Sequence, residues 1–340
     1  MRKDFSKISP EGFKKFTTIA GIIALAVFLF LCFEIYVPIN PFSRETITYT
    51  APKGFGDDEI AKDLEKLKLI RSNYFFRFYV VASFQHSSLQ AGKYNLSPRM
   101  SVYQMVKKMA SGDVVKNKVT ILEGWDKQDI AKYLEEKSVC KKDEFFALVK
   151  NDYSAEFDFL KDKPKNLDLE GYLFPDTYEF AEGEACQEVI GAILANFGKK
   201  LTPELRAEIA KQKKSIFDIV TMASMIEKEV RIMSDKKIVS GILWKRIEIG
   251  MPLQLDATIN YITGKSDPAA RISDTKIDSP YNTYKYYGLP KGPISNPGMN
   301  SIMAAIYPTK TAYLYYLSNG KTYFSATFEE HQTAKALYLE

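Results

Sequence analysis

Two glutamates near the end of one apolar stretch are the first residues in this sequence that could act as acids. Residues 215–233 have apolar side chains at helical spacing, and Ser215 is a suitable N-cap for the predicted helix. Glu227 and Glu229 are two residues apart, which on a helix separates their side chains by about 200°. We therefore expect the two carboxyl groups to lie in different surroundings.

The residues three and four positions away distinguish these two glutamates. Glu227 lies beside Arg231, which offers an ordinary ion pair, whereas Glu229 lies beside Met225 and Ile226. A carboxyl group in an apolar stripe has a raised pKa, is paired, or borders a cleft, and a raised pKa suits a general acid. The alternative is a glutamate at the solvent-exposed end of a core helix.

A third carboxyl group, Glu170, precedes a glycine in the aromatic segment 168–178, DLEGYLFPDTY. An acid beside aromatic residues suits a groove that binds sugars, because aromatic faces stack on pyranose rings. The alternative is a capped loop that packs its own aromatic side chains. The residues alone leave both interpretations open.

Two further segments supply polar side chains. Residues 253–258 alternate, which predicts a strand with Gln254, Asp256 and Thr258 on one side. Residues 280–298 are rich in Tyr, Asn, Gly and Pro and include Tyr281 and Asn282. A loop of this length is typically functional or disordered, and its four tyrosines argue against disorder.

The composition excludes several classes of protein. With 340 residues, 46% hydrophobic and 26% charged, the chain can bury the cores of two or three domains and is not disordered or collagen-like. Its two His and three Cys give no metal site with His/Cys spacing, and we expect no cofactor. The net charge of +5 comes mainly from residues 1–17, so the balanced remainder argues against a nucleic-acid partner.

The uncharged run at residues 16–33 is the candidate membrane segment. Eighteen mainly apolar residues are near the minimum for crossing a bilayer, and the basic flank before them predicts a cytoplasmic N-terminus. We expect a cytoplasmic tail at 1–17 and a single-pass inner-membrane anchor at 18–38, with the rest of the chain outside the cytoplasm. A cleaved signal peptide is the alternative, although no small-x-small pair precedes Glu34.

Beyond the anchor, the chain alternates short helices and strands without a regular βαβ rhythm, which favours an α+β fold. We expect a small strand/helix module at 45–117 and a larger mixed domain at 118–340. Gly54 and the run 60–65 are matched at an offset of 70 by Gly124 and the run 130–135, so two strand–turn–helix units are predicted. A hairpin is predicted around the turn 318–321, which contains Asn-Gly.

Cys140 and Cys186 both lie in the part of the chain expected outside the cytoplasm, where disulfides form. Sequence cannot show whether their geometry allows a bond. Two ordinary buried thiols are the alternative.

Five motifs in order resemble those of the YceG-like endolytic murein transglycosylases. Residues 222–229, MASMIEKE, resemble the family's MASIIEKET, and residues 170–178 resemble its EGxxFPDTY loop. The remaining matches are Gln254-Leu-Asp256 on the LQ-x-D segment, YNTY at 281–284, and GLPPGPI-x-NPG at 288–298. Val230 replaces the usual Thr and Lys291 replaces the second Pro, and neither change removes an acid.

The resemblance implies an inner-membrane lyase that cleaves within peptidoglycan glycan strands, with a LysM-like module before the catalytic domain. It assigns the catalytic acid to Glu229, the second glutamate of the EKE motif. Expected groove residues are Glu170, Gln254, Asp256, Tyr281 and Asn282. The expected product carries a 1,6-anhydro-MurNAc end, formed in trimming or terminating nascent strands, and peptidoglycan synthases are candidate partners.

Two rival functions remain open at this stage. One is a non-catalytic peptidoglycan-binding or divisome scaffold, in which the first module binds glycan and the larger domain recruits synthases. The other is a hydrolytic muramidase, which would consume water. The first rival predicts binding without any change in strand length, and the second predicts oxygen from water at new reducing ends.

Overall fold

The computed structural model describes residues 10–265 and 270–339, with side chains from Lys14 onward. The chain divides into two compact units, Met1–Asn117 and Lys118–Glu340. Helices and short two-stranded sheets are mixed in both units, in agreement with the predicted α+β class.

The first helix, α1 (Pro10–Tyr36), is the candidate membrane anchor. Its segment Lys14–Tyr36 is long and apolar enough to cross a bilayer, and none of its most apolar window is buried by the rest of the protein. The helix is already formed at Pro10, eight residues before the predicted start of the anchor. Of the predicted tail at residues 1–17, residues 1–9 lie outside the described residues.

After α1, the first unit continues as strand, two helices, strand and helix. These elements are β1 (Ile47–Ala51), α2 (Asp57–Lys66), α3 (Asn73–Ala82), β2 (Gly92–Leu96) and α4 (Val102–Ala110). The strands pair antiparallel, with Ile47 opposite Leu96 and Ala51 opposite Gly92. Apolar residues at helical spacing, such as Ile60 and Leu64, turn inward to form the core of this unit.

The second unit contains two short two-stranded sheets and nine α-helices within the described residues. The strands are β3 (Lys116–Thr120), β4 (Thr177–Ala181), β5 (Tyr315–Ser318) and β6 (Thr322–Ser325). The helices are α5 (Lys127–Glu136), α6 (Lys142–Leu148), α7 (Cys186–Lys200), α8 (Pro203–Lys211), α9 (Ile216–Glu229), α10 (Met233–Glu248), α11 (Asp256–Thr263), α12 (Met299–Ile306) and α13 (Phe328–Tyr338). β3 pairs with β4, and β5 with β6. The β5–β6 hairpin confirms the Asn-Gly turn prediction, with Gly320 at φ +99°.

The internal repeat predicted from the sequence is confirmed by the backbone. α2 and α5 begin and end at an offset of 70, and each is preceded by a glycine with positive φ, Gly54 and Gly124. Each helix is followed by a residue near φ +56°: Lys68 at 57° and Ser138 at 55°. The second unit thus starts with the same strand–turn–helix motif that follows α1 in the first unit.

A disulfide bond links Cys140 and Cys186, which resolves the alternative that the sequence left open. It joins the segment after α5 to the first residue of α7 across a separation of 46 residues. Both cysteines belong to the hydrophobic core of the second unit, so the cross-link connects two parts of one core. Cys32, in α1, is the free cysteine.

We predict that one thiol is alkylated when the unfolded chain is treated without reductant, and three after reduction, because only Cys32 is unpaired among the three cysteines. Replacing both Cys140 and Cys186 by alanine should lower the unfolding free energy by about 4 kcal/mol, since a cross-link over a loop of this length restricts the unfolded chain. Mass spectrometry and urea unfolding measure these two quantities. Three reactive thiols before reduction would contradict the bond.

Candidate active site

The predicted helix of the two glutamates is α9, and Glu229 is its last residue. Ser215 caps its N-terminus in a capping box with Asp218, as the sequence suggested. Residues 219–226 are all buried, so the middle of α9 lies in the core. Val230 is extended, which ends the helix. Glu229 therefore stands at the negative end of the helix dipole, where a carboxylate is disfavoured.

The Glu229 carboxyl is half-buried and bound by a tyrosine from the C-terminal hairpin. The Tyr316 hydroxyl, on β5, donates a hydrogen bond to Glu229 Oε2 at 2.8 Å. The pKa of Glu229 is raised to about 7, mainly by burial; the Tyr316 hydrogen bond lowers it and the nearby Asp256 carboxylate contributes to raising it. At neutral pH both protonation states of Glu229 are populated, as a group that donates and later accepts a proton requires.

Asp256 is a second carboxyl group at this place, but it does not lie on the predicted strand. It is the first residue of α11, and Gln254 before it adopts a left-handed conformation with φ +52°. The Gln254 N–H donates to the Thr283 carbonyl at 3.0 Å, and the Thr258 hydroxyl is buried. The strand prediction for 253–258 is therefore wrong: the segment is a turn followed by a helix.

Asp256 stands at the N-terminus of α11, whereas Glu229 stands at the C-terminal end of α9. The Tyr284 hydroxyl donates a short hydrogen bond to Asp256 Oδ1. Two neighbouring carboxyl groups thus stand at helix ends of opposite polarity. Of the two, Glu229 is the carboxyl group whose pKa is raised, which suits it to hold a proton.

Arg246, on α10, connects the backbone segments that carry these groups. Its guanidinium is buried and donates to the carbonyl oxygens of Leu253 and Leu314, each at 2.7 Å. Leu253 lies three residues before Asp256, and Leu314 two residues before Tyr316. Arg246 also carries a positive charge that lowers the pKa of Glu229. It therefore positions both partners of the Glu229 site.

Glu170 forms a separate buried cluster. Its carboxyl is 4% exposed and accepts hydrogen bonds from the Lys127 N–H at 3.1 Å, from Asn296 Nδ2 at 2.8 Å and from the Tyr261 hydroxyl at 3.4 Å. Burial raises its pKa to about 8, while the ammonium and the backbone N–H of Lys127 lower it. These contacts connect Glu170 to α5, to α11 and to Asn296.

Asn296 ties three loops around Glu170. Its Oδ1 accepts from the N–H groups of Gly171 and Leu173, each at 2.9 Å, and its Nδ2 donates to the Trp125 carbonyl at 3.0 Å. Gly171 has φ +90°, and a Cβ there would lie 2.6 Å from Pro293. The glycine of the EG pair is thus required by backbone conformation and by the close approach of the 290s loop.

Helix α11 links the two carboxyl clusters. Its first turn carries Asp256 and supplies the Ala257 N–H, which lowers the pKa of Glu229. One turn later Tyr261 reaches Glu170 and packs against Tyr281, with ring centroids 5.1 Å apart. A helical turn advances about 5.4 Å, so both clusters lie along one short helix.

The structure places the other two predicted groove residues differently. The Gln254 side chain is exposed just before Asp256. Asn282 is fully buried, and its amide donates to the carbonyls of Thr275 and Ile277 while its oxygen accepts from the Tyr284 N–H. Asn282 thereby shapes the loop that delivers Tyr284 to Asp256.

Glu227 forms an ion pair, but not with Arg231. Its Oε1 lies 2.7 Å from the buried Lys236 ammonium on α10, and its Oε2 accepts the Gly298 N–H at 2.9 Å. The helix ends before Arg231, so the spacing rule that predicted that pair does not apply there. As predicted, the two glutamates have different partners. Glu227 joins α9 to α10 and to the start of α12.

Sequence reasoning missed Arg246, Tyr316 and Asn296 as site residues, and did not single out Tyr284. Tyr284 and Asn296 belonged to motifs already quoted, whereas Arg246 and Tyr316 gave only the weak signals of a basic helix end and a tyrosine-rich hairpin. In the part of the chain that the structure describes, no group of three or more His, Cys, Asp or Glu is arranged to hold a metal ion.

Known proteins resemble this chain over most of its length. The model of the YceG-like family matches residues 49–336. An endolytic murein transglycosylase of Bacillus subtilis is 34% identical over 316 residues, which is 89% of this chain and 87% of that protein. One from Streptococcus pneumoniae strain D39 is 31% identical over 325 residues, which is 87% of this chain and 59% of that protein.

A solved structure agrees with these matches. The crystal structure of a putative YceG-like protein from Listeria monocytogenes has a TM-score of 0.58 and 36% identity, covering 86% of this chain and all of that one. The matched segment includes α9, α11 and the C-terminal hairpin, which carry the Glu229 site. The chain therefore belongs to the YceG-like family, and it is an enzyme of the transglycosylase class, as its relatives are named.

Proposed function

We propose that this chain is a membrane-anchored endolytic murein transglycosylase that cleaves the MurNAc–GlcNAc bond and leaves a 1,6-anhydro-MurNAc end. The observation that carries the proposal is the Glu229 carboxyl. It lies at the end of a buried helix with a pKa of about 7, a tyrosine donor on one oxygen and the Asp256 carboxylate close by. The names of its relatives support the reaction class.

In the first step, protonated Glu229 donates its proton to the oxygen that joins MurNAc to GlcNAc. The C1–O bond breaks and GlcNAc leaves with a hydroxyl group. Positive charge develops at C1 of MurNAc, where its own N-acetyl group and the Asp256 carboxylate stabilise it. Glu229 is then an anion, and Tyr316 is already placed to donate a hydrogen bond to it.

In the second step, the Glu229 carboxylate removes the proton of the MurNAc C6 hydroxyl. The C6 oxygen bonds to C1 and closes the anhydro ring, and Glu229 is protonated again for the next cycle. No water is consumed, so the reaction is that of a lyase. A single carboxyl group performs both proton transfers, which requires a pKa near the working pH.

The residues predicted to line the groove divide into two groups by exposure. Gln254 is exposed and Tyr281 is half-exposed, so these are the proposed sugar contacts beside Asp256. Glu170 and Asn282 are buried, and we propose that they act by positioning Tyr261 and Tyr284.

The disulfide supports placement of the second unit outside the cytoplasm. A Cys140–Cys186 bond is stable in an oxidising compartment, and α1 is a candidate anchor that starts from a basic segment. We propose a single-pass inner-membrane protein with its N-terminus inside and its catalytic unit facing the peptidoglycan. Peptidoglycan strands are then the substrate, and synthases that make them are candidate partners.

Replacing the catalytic acid tests the proposed function directly. Glu229→Gln should lower the rate of anhydro-muropeptide release by about 10² to 10⁴, because an amide cannot donate or remove the proton. The measurement is product mass spectrometry after incubation with isolated sacculi. Unchanged anhydro ends in this variant would remove Glu229 from its role.

Glu227→Gln is the matched control two residues away. It should still produce anhydro ends but should unfold more easily, by about 3 kcal/mol, because Lys236 loses the charge of its buried partner. Glycan binding by the wild-type chain without shorter strands would favour a scaffold. Heavy oxygen taken from labelled water into new reducing ends would favour a hydrolytic muramidase.

The pH dependence should have an alkaline limb near pH 7. Glu229 must be protonated to donate, so kcat/KM is constant below its pKa and falls about tenfold per unit above it. Tyr316→Phe removes a hydrogen bond that lowers the pKa, so the limb should move to higher pH. Asp256→Asn removes a charge that raises the pKa, so the limb should move to lower pH. The measurement is the pH at which kcat/KM begins to fall in each variant, whatever the absolute rate. Shifts of this pH in the same direction in both variants would contradict the assignment of the limb to Glu229.

A further inference from the structure

One face of α3 in the first unit is apolar and exposed. Tyr74, Phe78 and Val81 are spaced four and three residues apart and are 73%, 49% and 61% exposed. This spacing places them in one stripe along the helix. Phe84, two residues after the helix ends, is 92% exposed. These four side chains are called the α3 stripe below.

The α3 stripe is not needed to form the core of the first unit. The same helix buries Phe76 and Val80 completely on its other side, against α2 and the two-stranded sheet. Soluble surfaces rarely place several large apolar side chains together, and such a patch marks a contact with a partner or a membrane.

The position of α3 relative to α1 distinguishes a membrane contact from a contact with a partner protein. Phe75, on α3, packs edge-on against Phe30 of α1 with ring centroids 5.4 Å apart, and Tyr79 packs against Tyr36. α3 therefore lies beside the last two turns of the apolar helix.

Arg71 fixes this arrangement just before α3. Its guanidinium donates to the carbonyl oxygens of Val37 and Pro38, at 2.7 and 2.6 Å. It also lies 4.6 Å from the centroid of the Phe33 ring. These carbonyls follow the last turn of α1, where no helical N–H can reach them, so the contact satisfies the end of the helix and binds it to the module.

The length of α1 sets the depth of α3. Residues 16–33 span about 27 Å at 1.5 Å per residue, close to the thickness of a hydrocarbon core. If residue 16 lies at the inner boundary, Phe30 lies within the outer leaflet and Tyr36 just beyond the acyl chains. A helix whose side chains contact both residues lies at the outer headgroup boundary.

We infer that the α3 stripe inserts into the outer leaflet of the bilayer that α1 spans, so that the first unit rests on the membrane at two points. The inference rests on the proposed membrane anchor. The occupant of the stripe is the lipid boundary itself, since interfacial helices bury apolar side chains about 5–10 Å into this region. Arg71, Tyr36 and Tyr79 lie at the level of the headgroups.

The test measures the depth of single residues in the full-length protein. In a Cys32→Ala background with the disulfide intact, Val81→Cys and Phe78→Cys are labelled with a nitroxide and reconstituted into bilayer nanodiscs holding one chain each. Collisions with oxygen, which concentrates in lipid, and with a water-soluble nickel chelate are then compared. We expect several-fold more oxygen contact and several-fold less nickel contact than at an exposed control.

Two control positions distinguish a failure of the proposed stripe insertion from a failure of the proposed membrane anchor. Lys62→Cys, on the exposed face of α2, should be open to nickel, and Leu25→Cys, in the middle of α1, should be shielded. Nickel contact at Val81 equal to that at Lys62, with Leu25 shielded, would overturn the inference and leave the anchor intact. Nickel contact at Leu25 would overturn the anchor and the inference together. Shielding of Val81 only in discs with two chains would identify a second copy as the occupant and would also overturn it.

Discussion

A carboxyl group at the C-terminal end of a buried helix is the constraint on which the second unit depends. The middle of α9 has no exposed face, so Glu229 is carried into the interior by the burial of the residues before it. The helix dipole and the loss of water both oppose its charge. A hydrogen-bond donor must therefore stabilise the Glu229 carboxylate once its proton has left. Tyr316 does so from a hairpin more than eighty residues later in the chain.

Arg246 explains why Asp256 and Tyr316, which are distant from each other in sequence, both lie beside Glu229. It is buried on α10, and its guanidinium binds backbone carbonyls on both sides of the site, at Leu253 and Leu314. Because a buried guanidinium needs hydrogen-bond acceptors, the backbone carbonyls of these two segments bind to it. The turn before α11 and the start of β5 thereby acquire their positions, with Asp256 on one and Tyr316 on the other. The need of the Arg246 guanidinium for acceptors thus fixes the two segments that surround Glu229.

The sequence predicted elements better than it predicted contacts. Helix α9, the β5–β6 hairpin and the repeat of α2 and α5 follow from local patterns of apolar residues, caps and turns. The strand at 253–258 failed because alternation over six residues does not reveal a left-handed Gln254, which Thr283 stabilises from another loop. The Glu227–Arg231 pair failed for a related reason, since the helix stops at Glu229. Arg246 and Tyr316 could not be found by spacing, because their roles exist only after folding.

The repeated motif shows how one local structure supports two uses. In the first unit, α2 begins at Gly56, whose N–H is bound by Glu59 of the same turn, so its N-terminus is satisfied locally. In the second unit, α5 has a local capping box as well, through Asp126 and Asp129, and the Lys127 N–H donates to Glu170 on a distant loop. The first N–H groups of a helix have no acceptor within it, so the second copy can also bind the buried Glu170 carboxyl without further change in the fold. The position of Glu170, and with it the contact to Tyr261 on α11, therefore depends on one N–H at the start of α5 that the capping box does not bind.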